Sequence, residues 1–442
     1  MNVIKVELER GNLYRSGSTI LLNRSIGPKV KVAFNVEDYV RCKGPISMLA
    51  FEFAYFCSII YGCDRSEERE TSDGDRWTRE FDVTIPVSNP TLWNEASPIA
   101  QSMIEFLTGD LWHLKFIPYT VPLLGRSFNS DRQKFRKRRR LSGDVVSLFS
   151  GGLDSLIGVI NWLSDNPGSK IVLASTYDAM AENAKSDQSR LIPHLDAEYL
   201  SRYQYFVARA GVCSDGVDTN FRSRSLAFIG NAVLAASFVG ERTPVLIPEN
   251  GAIALNFPLT PARAGSMSTR TVHPLFIELL NNFLQALGIH HVIENPYRLY
   301  TKGEMMKRCS NPIFLQKTYA DSVSCGKRGF DRQHWSNMHA HGCGVCVPCI
   351  FRRAALLSAG YAEEEYGYDV LDRSSWKRDI LAPNGDLQAT IDFVESAHLP
   401  DEIWSMINGS TRLDISQKSD YISLVQRLRD EVALWLKSVN LT

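Results

Sequence analysis

The residue types best suited to chemistry in this chain lie between Ser150 and Ser155, in the order Ser-Gly-Gly-Leu-Asp-Ser. A short apolar run directly before them predicts a buried strand, and an amphipathic pattern that begins at Leu153 predicts a helix. Glycines let the backbone approach an anion, and successive N–H groups at a helix N-terminus favour negative charge. Serine hydroxyls can donate to phosphate oxygens, and Asp154 can hold Mg²⁺. We therefore predict a phosphate-binding loop, with an ordinary Gly-Gly turn before a helix as the alternative. Its residues are Ser150, Gly151, Gly152, Leu153, Asp154 and Ser155.

Three cysteines, Cys343, Cys346 and Cys349, have the C-x-x-C-x-x-C spacing of a metal site. Thiolates prefer a soft, tetrahedrally coordinated metal, and zinc is the default in a reducing cytosol. A closed zinc site needs a fourth ligand, for which we choose Cys325. The competing fourth ligands are Cys309, His339 and His341. An iron–sulfur cluster with an open iron position and free, inert cysteines are the other interpretations.

The composition is that of an ordinary globular protein, with 44% apolar and 22% charged residues in 442. Lysine plus arginine and aspartate plus glutamate number 49 each, so nucleic acid would have to bind a local basic patch. No apolar run approaches the roughly 20 residues that span a bilayer. Nine cysteines, an odd number, argue against a secreted disulfide framework. We expect a cytoplasmic protein without a membrane partner.

Residues 1–130 mix strand-like and helix-like runs and predict a strand-rich α+β accessory domain. The strand-like runs are 3–8, 30–34 and 81–87, and the helical runs are 45–61 and 99–107. Residues 131–143 contain a dense basic run, which predicts an exposed linker because like charges repel one another. Contact with RNA, DNA or phosphates is the alternative for this run.

From 144 to 358 strands alternate with helices, which predicts an α/β domain with a doubly wound parallel sheet. Ligands bind such a sheet at the carboxyl ends of its strands, where Glu249 and Asn250 follow the predicted fourth strand. Residues 359–442 predict a helical C-terminal extension. Its predicted helices are Glu363–Tyr368, Leu387–Ala397, Pro400–Ile407 and Asp420–Val439.

The loop and the cysteines together resemble the QueC family, the 7-cyano-7-deazaguanine synthases. Those enzymes belong to the PP-loop ATP pyrophosphatases, which share the Ser-Gly-Gly-x-Asp-Ser loop and cleave ATP between its α- and β-phosphates. The resemblance covers about 144–358 and includes the later Ser-Cys and Cys-Gly-x-Cys-x-x-Cys-x-x-Arg segments. Arg224, at a helix start, and Lys302 with Glu304 stand where the family has Arg-Asn and Lys-x-Glu. The resemblance implies an adenine nucleotide α-hydrolase-like fold with ATP, Mg²⁺ and Zn²⁺.

The same resemblance implies that the chain adenylates 7-carboxy-7-deazaguanine or a related base and passes it to an amine. The loop would then hold the β,γ-phosphates and Asp154 would recruit Mg²⁺. Lys302 and Arg224 would neutralise charge on the α-phosphate, although an ordinary surface lysine is the alternative for Lys302. Glu249 and Asn250 would lie near the acceptor, unless Asn-Gly is simply a turn. His273 is either a base or a helix cap.

The segments outside 144–358, together with Pro248–Asn256 and Thr269–Pro274, resemble more closely the QatC proteins of Qat anti-phage defence systems. This resemblance implies antiviral defence with partner proteins, and an acceptor that is either ammonia or a partner protein. The family's Asp-Tyr-Gly-Gln is replaced here by Ser175-Thr176-Tyr177-Asp178, so nucleotide activation carries over better than recognition of the base.

Two other functions are compatible with the sequence. A tRNA-thiolating PP-loop enzyme would need a reactive thiol, for which Cys213 or Cys309 would have to serve. A non-catalytic scaffold would bind nucleotide as a sensor without turning it over.

Overall fold

The computed structural model describes residues 2–8, 19–35, 39, 41–69, 78–120, 123–124, 139–177, 184–212, 222–260, 270–327, 332–370, 385–396, 398–409 and 411–441. Within these ranges the chain is an α/β structure, with ten strands in one mixed sheet and thirteen α-helices. In the same residues no helix has both the length and the apolar content needed to cross a membrane.

The strands are β1 Asn2–Leu8, β2 Thr19–Arg24, β3 Val30–Asn35, β4 Glu80–Val87, β5 Leu111–Pro118, β6 Val145–Leu148, β7 Ile171–Tyr177, β8 Tyr203–Val212, β9 Val245–Leu246 and β10 Ile293–Glu294. The helices are α1 Met48–Ser66, α2 Pro90–Thr108, α3 Leu153–Asp165, α4 Ala184–Tyr199, α5 Arg224–Val239, α6 Gly251–Ala254, α7 Pro274–Ala286, α8 Lys302–Lys307, α9 Pro312–Thr318, α10 Val347–Ala359, α11 Asp386–Glu395, α12 Pro400–Asn408 and α13 Lys418–Ser438.

The sheet runs in the order β10-β9-β6-β7-β8-β3-β2-β1-β4-β5. From β10 to β8 every neighbouring pair is parallel, as the alternation of strands and helices predicts. Counted from β6, these five strands lie in the order 3-2-1-4-5. The chain therefore adds β7 and β8 on one side of β6 and then β9 and β10 on the other side, so the strand order reverses between β6 and β9. In open α/β sheets such a reversal opens a crevice at the carboxyl ends of the two strands, where ligands bind.

Alternate residues of the central strands pack into different cores, which explains why helices cover both faces. Val145, Ile171 and Leu173 contact a cluster that includes α3 and α4. Val146 and Val172 face the opposite cluster, which contains most of α5. Because strand side chains alternate between the two faces, a strand that is buried on both sides must be apolar at nearly every position.

The N-terminal strands extend this parallel sheet. β3 pairs antiparallel with β8, with Val32 opposite Val212. Helix α1 packs so closely on α5 that a Cβ atom on Gly230 would lie 2.9 Å from the Cβ of Cys57. The expected strands at 3–8, 30–34 and 81–87 correspond to β1, β3 and β4, whereas β2 and β5 were not predicted. The described strands and helices before residue 120 therefore share one sheet and one hydrophobic cluster with the parallel core.

Most of the basic run lies outside the described residues, but Arg139 lies inside them. Its backbone bridges to Cys42, and its guanidinium donates to the Tyr205 carbonyl at 3.0 Å and lies over the ring of Phe206. Arg139, near the end of the run, is therefore attached to β8.

The C-terminal segment is helical where α11, α12 and α13 pack with α10. The predicted helix Glu363–Tyr368 is wrong, because these residues have no helical hydrogen bonding. Arg352 of α10 binds the Glu364 carboxylate with two nitrogens, at 2.6 and 2.7 Å, and Arg353 pairs with Glu363. These ion pairs hold the segment against α10 in an irregular conformation.

Candidate functional site

The loop after β6 has the backbone geometry of an anion-binding turn. Gly151 has φ +82°, and a Cβ atom there would lie 2.9 Å from the backbone nitrogen of Gln188, so only glycine fits. Helix α3 begins at Leu153, and Gly152 precedes it without a side-chain cap. The first backbone N–H groups of α3 thus remain available to an anion.

Two hydroxyl groups lie together at this loop. The Ser150 oxygen accepts from the Gly152 N–H at 3.2 Å and lies 3.2 Å from the Ser155 oxygen. Ser155 in turn donates to the Gly152 carbonyl at 2.9 Å. Ser150 is exposed and Ser155 is buried, so the pair connects the surface of the loop with its interior.

The carboxylate of Asp154 joins three segments of the chain. It is buried, and one of its oxygens accepts from the backbone and side-chain nitrogens of Asn250, at 3.1 and 2.7 Å. The other oxygen forms an ion pair with the ammonium group of Lys302, the first residue of α8. Only 4% of Lys302 is exposed, so the surface-lysine alternative is wrong. Residues from the segments that follow β6 and β9, and from α8, thus meet where the strand order reverses.

Glu249 adds a second carboxyl group to this cluster, and its pKa is shifted in the direction opposite to that of Asp154. Burial raises the pKa of Asp154, but Lys302 and the hydrogen bonds outweigh it and lower that pKa below its usual range. Burial and the neighbouring Asp154 charge raise the pKa of Glu249 well above its usual range. The pKa values of these two neighbouring carboxyl groups are therefore shifted in opposite directions, which is how adjacent titratable groups acquire separate roles.

Two other predicted residues have different surroundings. Arg224 begins α5, and its guanidinium lies over the ring of Phe228, 5.7 Å from its centroid. The described contacts do not bring Arg224 to Asp154, and its catalytic role stays a prediction. His273 caps α7, since its Nδ1 accepts from the Leu275 N–H at 3.2 Å. Burial lowers the pKa of His273 to about 3, so it is a neutral helix cap.

Four sulfur atoms converge at the start of α10. The ligand atoms of Cys325, Cys343, Cys346 and Cys349 all lie within 4.8 Å of one another. The sulfurs of Cys325 and Cys346 are 4.0 Å apart, and those of Cys343 and Cys349 are 3.9 Å apart. Tetrahedral zinc with bonds of about 2.3 Å would separate its sulfurs by about 3.8 Å. The cluster could therefore hold a metal ion such as zinc, with Cys325 and not Cys309 as its fourth member.

Cys309 differs from the clustered cysteines in its environment. It lies in the core beside α8, and burial raises the pKa of its thiol to about 11. A thiol of that kind is protonated at neutral pH and is a poor nucleophile, which argues against it as a thiolation residue. Cys213 lies outside the described residues. His339 and His341 line a cavity of about 340 Å³ beside the cysteines.

The cysteine cluster and the loop after β6 are neighbours. Val323, two residues before Cys325, donates its N–H to the Gly151 carbonyl at 3.0 Å. Arg352 donates to the hydroxyls of Ser322 and Ser324, at 2.9 and 3.3 Å, and so holds this segment against α10. A metal at the cysteines would therefore stabilise one wall of the loop.

The sequence did not single out two residues that contact this region. Val323 gives no signal in the sequence, because its role lies in its backbone. Glu431 of α13 binds the first turn of α8, and it had a signal: it interrupts the apolar stripe of Leu424, Leu428 and Trp435. A carboxylate on the buried face of a helix indicates a specific partner.

Comparison of the chain with protein-family models, curated proteins and solved structures finds no match. A function is therefore inferred from the residues of the site and from their geometry.

Proposed function

We propose that this chain is an ATP-dependent, QueC-like enzyme that adenylates a carboxylate, releases pyrophosphate and passes the acyl group to an amine. The observation that carries the proposal is the convergence of Asp154, Asn250 and Lys302 beside a glycine loop whose helix lacks a side-chain cap. A triphosphate would find backbone N–H groups, hydroxyls and an ammonium group in this one region. The likeness of the loop to those of ATP pyrophosphatases supports the chemistry.

The proposed reaction has two steps. An oxygen of the acid attacks the α-phosphorus, the bond to the β-phosphate oxygen breaks, and pyrophosphate leaves. The amine then attacks the acyl carbon, AMP leaves with the former carboxylate oxygen, and one proton is released. Adenylation is needed because a free carboxylate would have to expel oxide.

Different residues of the site would serve different parts of this reaction. Ser150, Gly151, Gly152 and Ser155 bind the departing β,γ-phosphates. Lys302, which is paired with Asp154, is assigned the neutralisation of charge that develops on the α-phosphate. Because this ion pair is buried, nucleotide phosphates have to compete with Asp154 for the lysine, which links ATP binding to a local rearrangement.

Both metals of the proposal fit the residues present. The carboxylate of Asp154, whose pKa is lowered, is the ligand type that Mg²⁺ prefers, and the metal would supply charge neutralisation for pyrophosphate. The four cysteines offer the sulfur ligands of a structural Zn²⁺, which would fix the segment that braces Gly151.

For the substrates, we propose 7-carboxy-7-deazaguanine or a related base as the acid, on the QueC resemblance. With ammonia the product is an amide, which a second ATP converts to a nitrile. The large segments outside 144–358 favour a partner protein of an anti-phage system as the amine acceptor. We propose that the protein acts in the cytoplasm in this defence.

The first test is release of AMP and pyrophosphate from ATP, with Mg²⁺ and a panel of acids that includes 7-carboxy-7-deazaguanine. Wild type should release both products only with the correct acid, and Asp154→Asn should not. Equal release by Asp154→Asn would exclude the proposed site. If the protein bound nucleotide but released no AMP or pyrophosphate with any acid of the panel, the non-catalytic sensing scaffold would be favoured.

The second test identifies the acceptor by intact mass. The protein is mixed with ATP, the acid and each candidate partner, and a partner that accepts the base gains the mass of the acyl group. Unchanged partner masses together with nitrile formation would identify ammonia as the acceptor.

A further inference from the structure

The C-terminal helix α13 lies directly behind two walls of the site. Gly251 follows Asn250, and a Cβ atom on it would come within 2.7 Å of a Leu424 methyl group. Gly303 follows Lys302, and a Cβ atom on it would come within 3.0 Å of the Glu431 carboxylate. Each glycine thus adjoins a residue that binds Asp154, and each permits close approach of the same distant helix.

Glu431 is the polar part of this contact. One of its oxygens accepts from the Thr301 hydroxyl, and the other accepts from the Gly303 N–H at 3.4 Å. Thr301 is the N-cap of α8 and forms a capping box with Glu304, with bonds of 3.1 and 2.9 Å. Glu431 therefore binds the residues on both sides of Lys302.

Arg427, one turn before Glu431, makes a second connection between the same elements. It pairs with Glu304 at 2.8 Å and donates to the Leu299 carbonyl at 2.8 Å. The first turn of α8 is consequently held from α13 by a carboxylate and by a guanidinium. A helix as short as α8 has little stability of its own, so its orientation depends on such tertiary contacts.

From these contacts we infer that Glu431 is a positioning residue for Lys302. By binding Thr301 and Gly303 it fixes the first turn of α8, and thereby directs the ammonium group of Lys302 to Asp154. Glu431 itself touches neither Asp154 nor the loop in the described contacts. The effect on turnover depends on the proposed function, whereas the effect on Lys302 itself does not.

The role requires the reach and hydrogen bonds of Glu431 more than its charge. Glutamine keeps the length and can accept from Gly303 while it donates to Thr301, which has a free lone pair. Aspartate keeps the charge but is one methylene shorter, so it cannot span both partners. Alanine removes both contacts. These three variants separate hydrogen bonding from charge.

The first experiment measures Lys302 directly in the full-length protein, with acetic anhydride as an amine probe and peptide mass spectrometry as the readout. We expect Glu431→Ala and Glu431→Asp to raise the rate of Lys302 acetylation by about tenfold, because local opening exposes the amine. Glu431→Gln should stay close to wild type. Exposed Lys437 serves as the internal reference, and Asp430→Ala, an exposed acid on the same helix, serves as the matched control.

The second experiment measures pyrophosphate release by the same variants. Glu431→Ala and Glu431→Asp should lower kcat by about 10- to 100-fold, since a small displacement of a catalytic group has effects of that size. The KM for ATP should change far less, because the loop supplies most of the ATP contacts. Glu431→Gln should restore kcat, and Asp430→Ala should not alter it.

The outcomes separate the two proposals. Wild-type acetylation of Lys302 in both Glu431→Ala and Glu431→Asp would overturn the inference. So would a glutamine variant as reactive as alanine, because charge and not hydrogen bonding would then matter. If wild type releases no pyrophosphate, the proposed function fails while the acetylation result still decides the position of Lys302. A maleimide probe of fully buried Cys57 reports loss of the whole fold, in which case the aspartate variant decides.

Discussion

The protein has two buried clusters of acidic and basic side chains, and each lies in a different half of the sheet. In the N-terminal half, Arg79 bridges Asp64 and Asp110 at 2.5 and 2.7 Å, and Arg69 binds Asp110 at 2.5 Å. In the parallel half, Lys302 binds Asp154 beside Glu249. The Arg79 pairs with Asp64 and Asp110 and the Lys302–Asp154 pair are all buried, so burial and ion pairing do not distinguish the two groups.

The difference lies in what surrounds each carboxylate. Asp64 also accepts from the backbone and hydroxyl of Ser223, at 3.1 and 2.5 Å, and Asp110 accepts from the Arg79 backbone at 3.0 Å. The Asp64–Arg79–Asp110 group thereby joins the end of α1, the turn before β5 and the start of α5. It connects elements, as a structural cluster does.

The Asp154 group instead lies where the strand order reverses, next to an uncapped helix N-terminus. Its cation comes from a lysine, a compact charge that can exchange partners more readily than a forked guanidinium. A buried ion pair therefore indicates a site only when its place in the fold also offers donors to a ligand.

Removal of the Arg79 side-chain charge should produce the largest effect on stability. Arg79→Met leaves Asp64 and Asp110 buried with fewer partners, and we expect a loss of about 3–5 kcal/mol in the free energy of unfolding. Denaturant titration measures this loss, with Glu80→Ala as the control, because the exposed Glu80–His113 pair is worth about 0.5 kcal/mol. If the folded Arg79→Met protein also lost pyrophosphate release, the two groups would not be separate in role.

Lys302→Met should have the opposite effect, with a large loss of activity and a smaller loss of stability. We expect pyrophosphate release to fall by about 10²- to 10³-fold, the usual cost of removing a group that stabilises transition-state charge. Stability should fall less than in Arg79→Met, because Asn250 still donates two hydrogen bonds to Asp154. Lys307→Met, an exposed lysine on the same helix, is the matched control. Undiminished turnover in Lys302→Met would refute the assigned role.

The raised pKa of Glu249 predicts a pH dependence specific to the parallel half. The folded chain retains a proton that the unfolded chain releases near pH 4.5, so stability falls as pH rises from there towards the folded pKa. Glu249→Gln cannot ionise and should lose less stability from about pH 5 to about pH 7. The difference is at most about 1.4 kcal/mol per pH unit, and it is smaller in practice because Glu249 is partly exposed. If the free energy of unfolding changed equally with pH in wild type and in Glu249→Gln, Glu249 would ionise near its usual pKa, contrary to this prediction.

The last prediction concerns the loop backbone. Gly151→Ala should destabilise the fold by about 1–2 kcal/mol through its positive φ, with more from the contact at 2.9 Å, and should weaken ATP binding. Gly288→Ala has a similar φ of +76° but open space around its Cβ position. It should cost only the conformational term and leave ATP binding intact. Calorimetric titration with ATP separates them, and equal affinities would mean that the loop does not bind phosphate.

Local patterns were sufficient to predict the elements that carry the site. The apolar run before Ser150 predicted β6, and the helical pattern from Leu153 predicted α3. The C-x-x-C-x-x-C spacing predicted three members of the cysteine cluster. Each of these features is encoded within a few consecutive residues, because the strand, the turn and the thiol spacing are local properties.

Long-range pairings were not predictable in this way. The partner of Lys302 depends on which strands adjoin β6, and no single segment encodes that order. The helix expected at Glu363–Tyr368 failed because Arg352 and Arg353, on a different element, hold its acidic residues. Likewise β5 alternates regularly, but only its pairing with β4 makes it part of the sheet. Tertiary contacts decide such segments over their own propensities.

The pairing of β3 with β8 has a consequence for any attempt to isolate the parallel half as a fragment. Deletion of the first 138 residues would bare the hydrogen-bonding groups of β8 from Arg209 to Val212 and uncover the apolar side of α5. Exposed strand edges recruit other strands, so the fragment would tend to self-associate through β8. By pairing with β8, the N-terminal half of the sheet therefore protects the protein from aggregation.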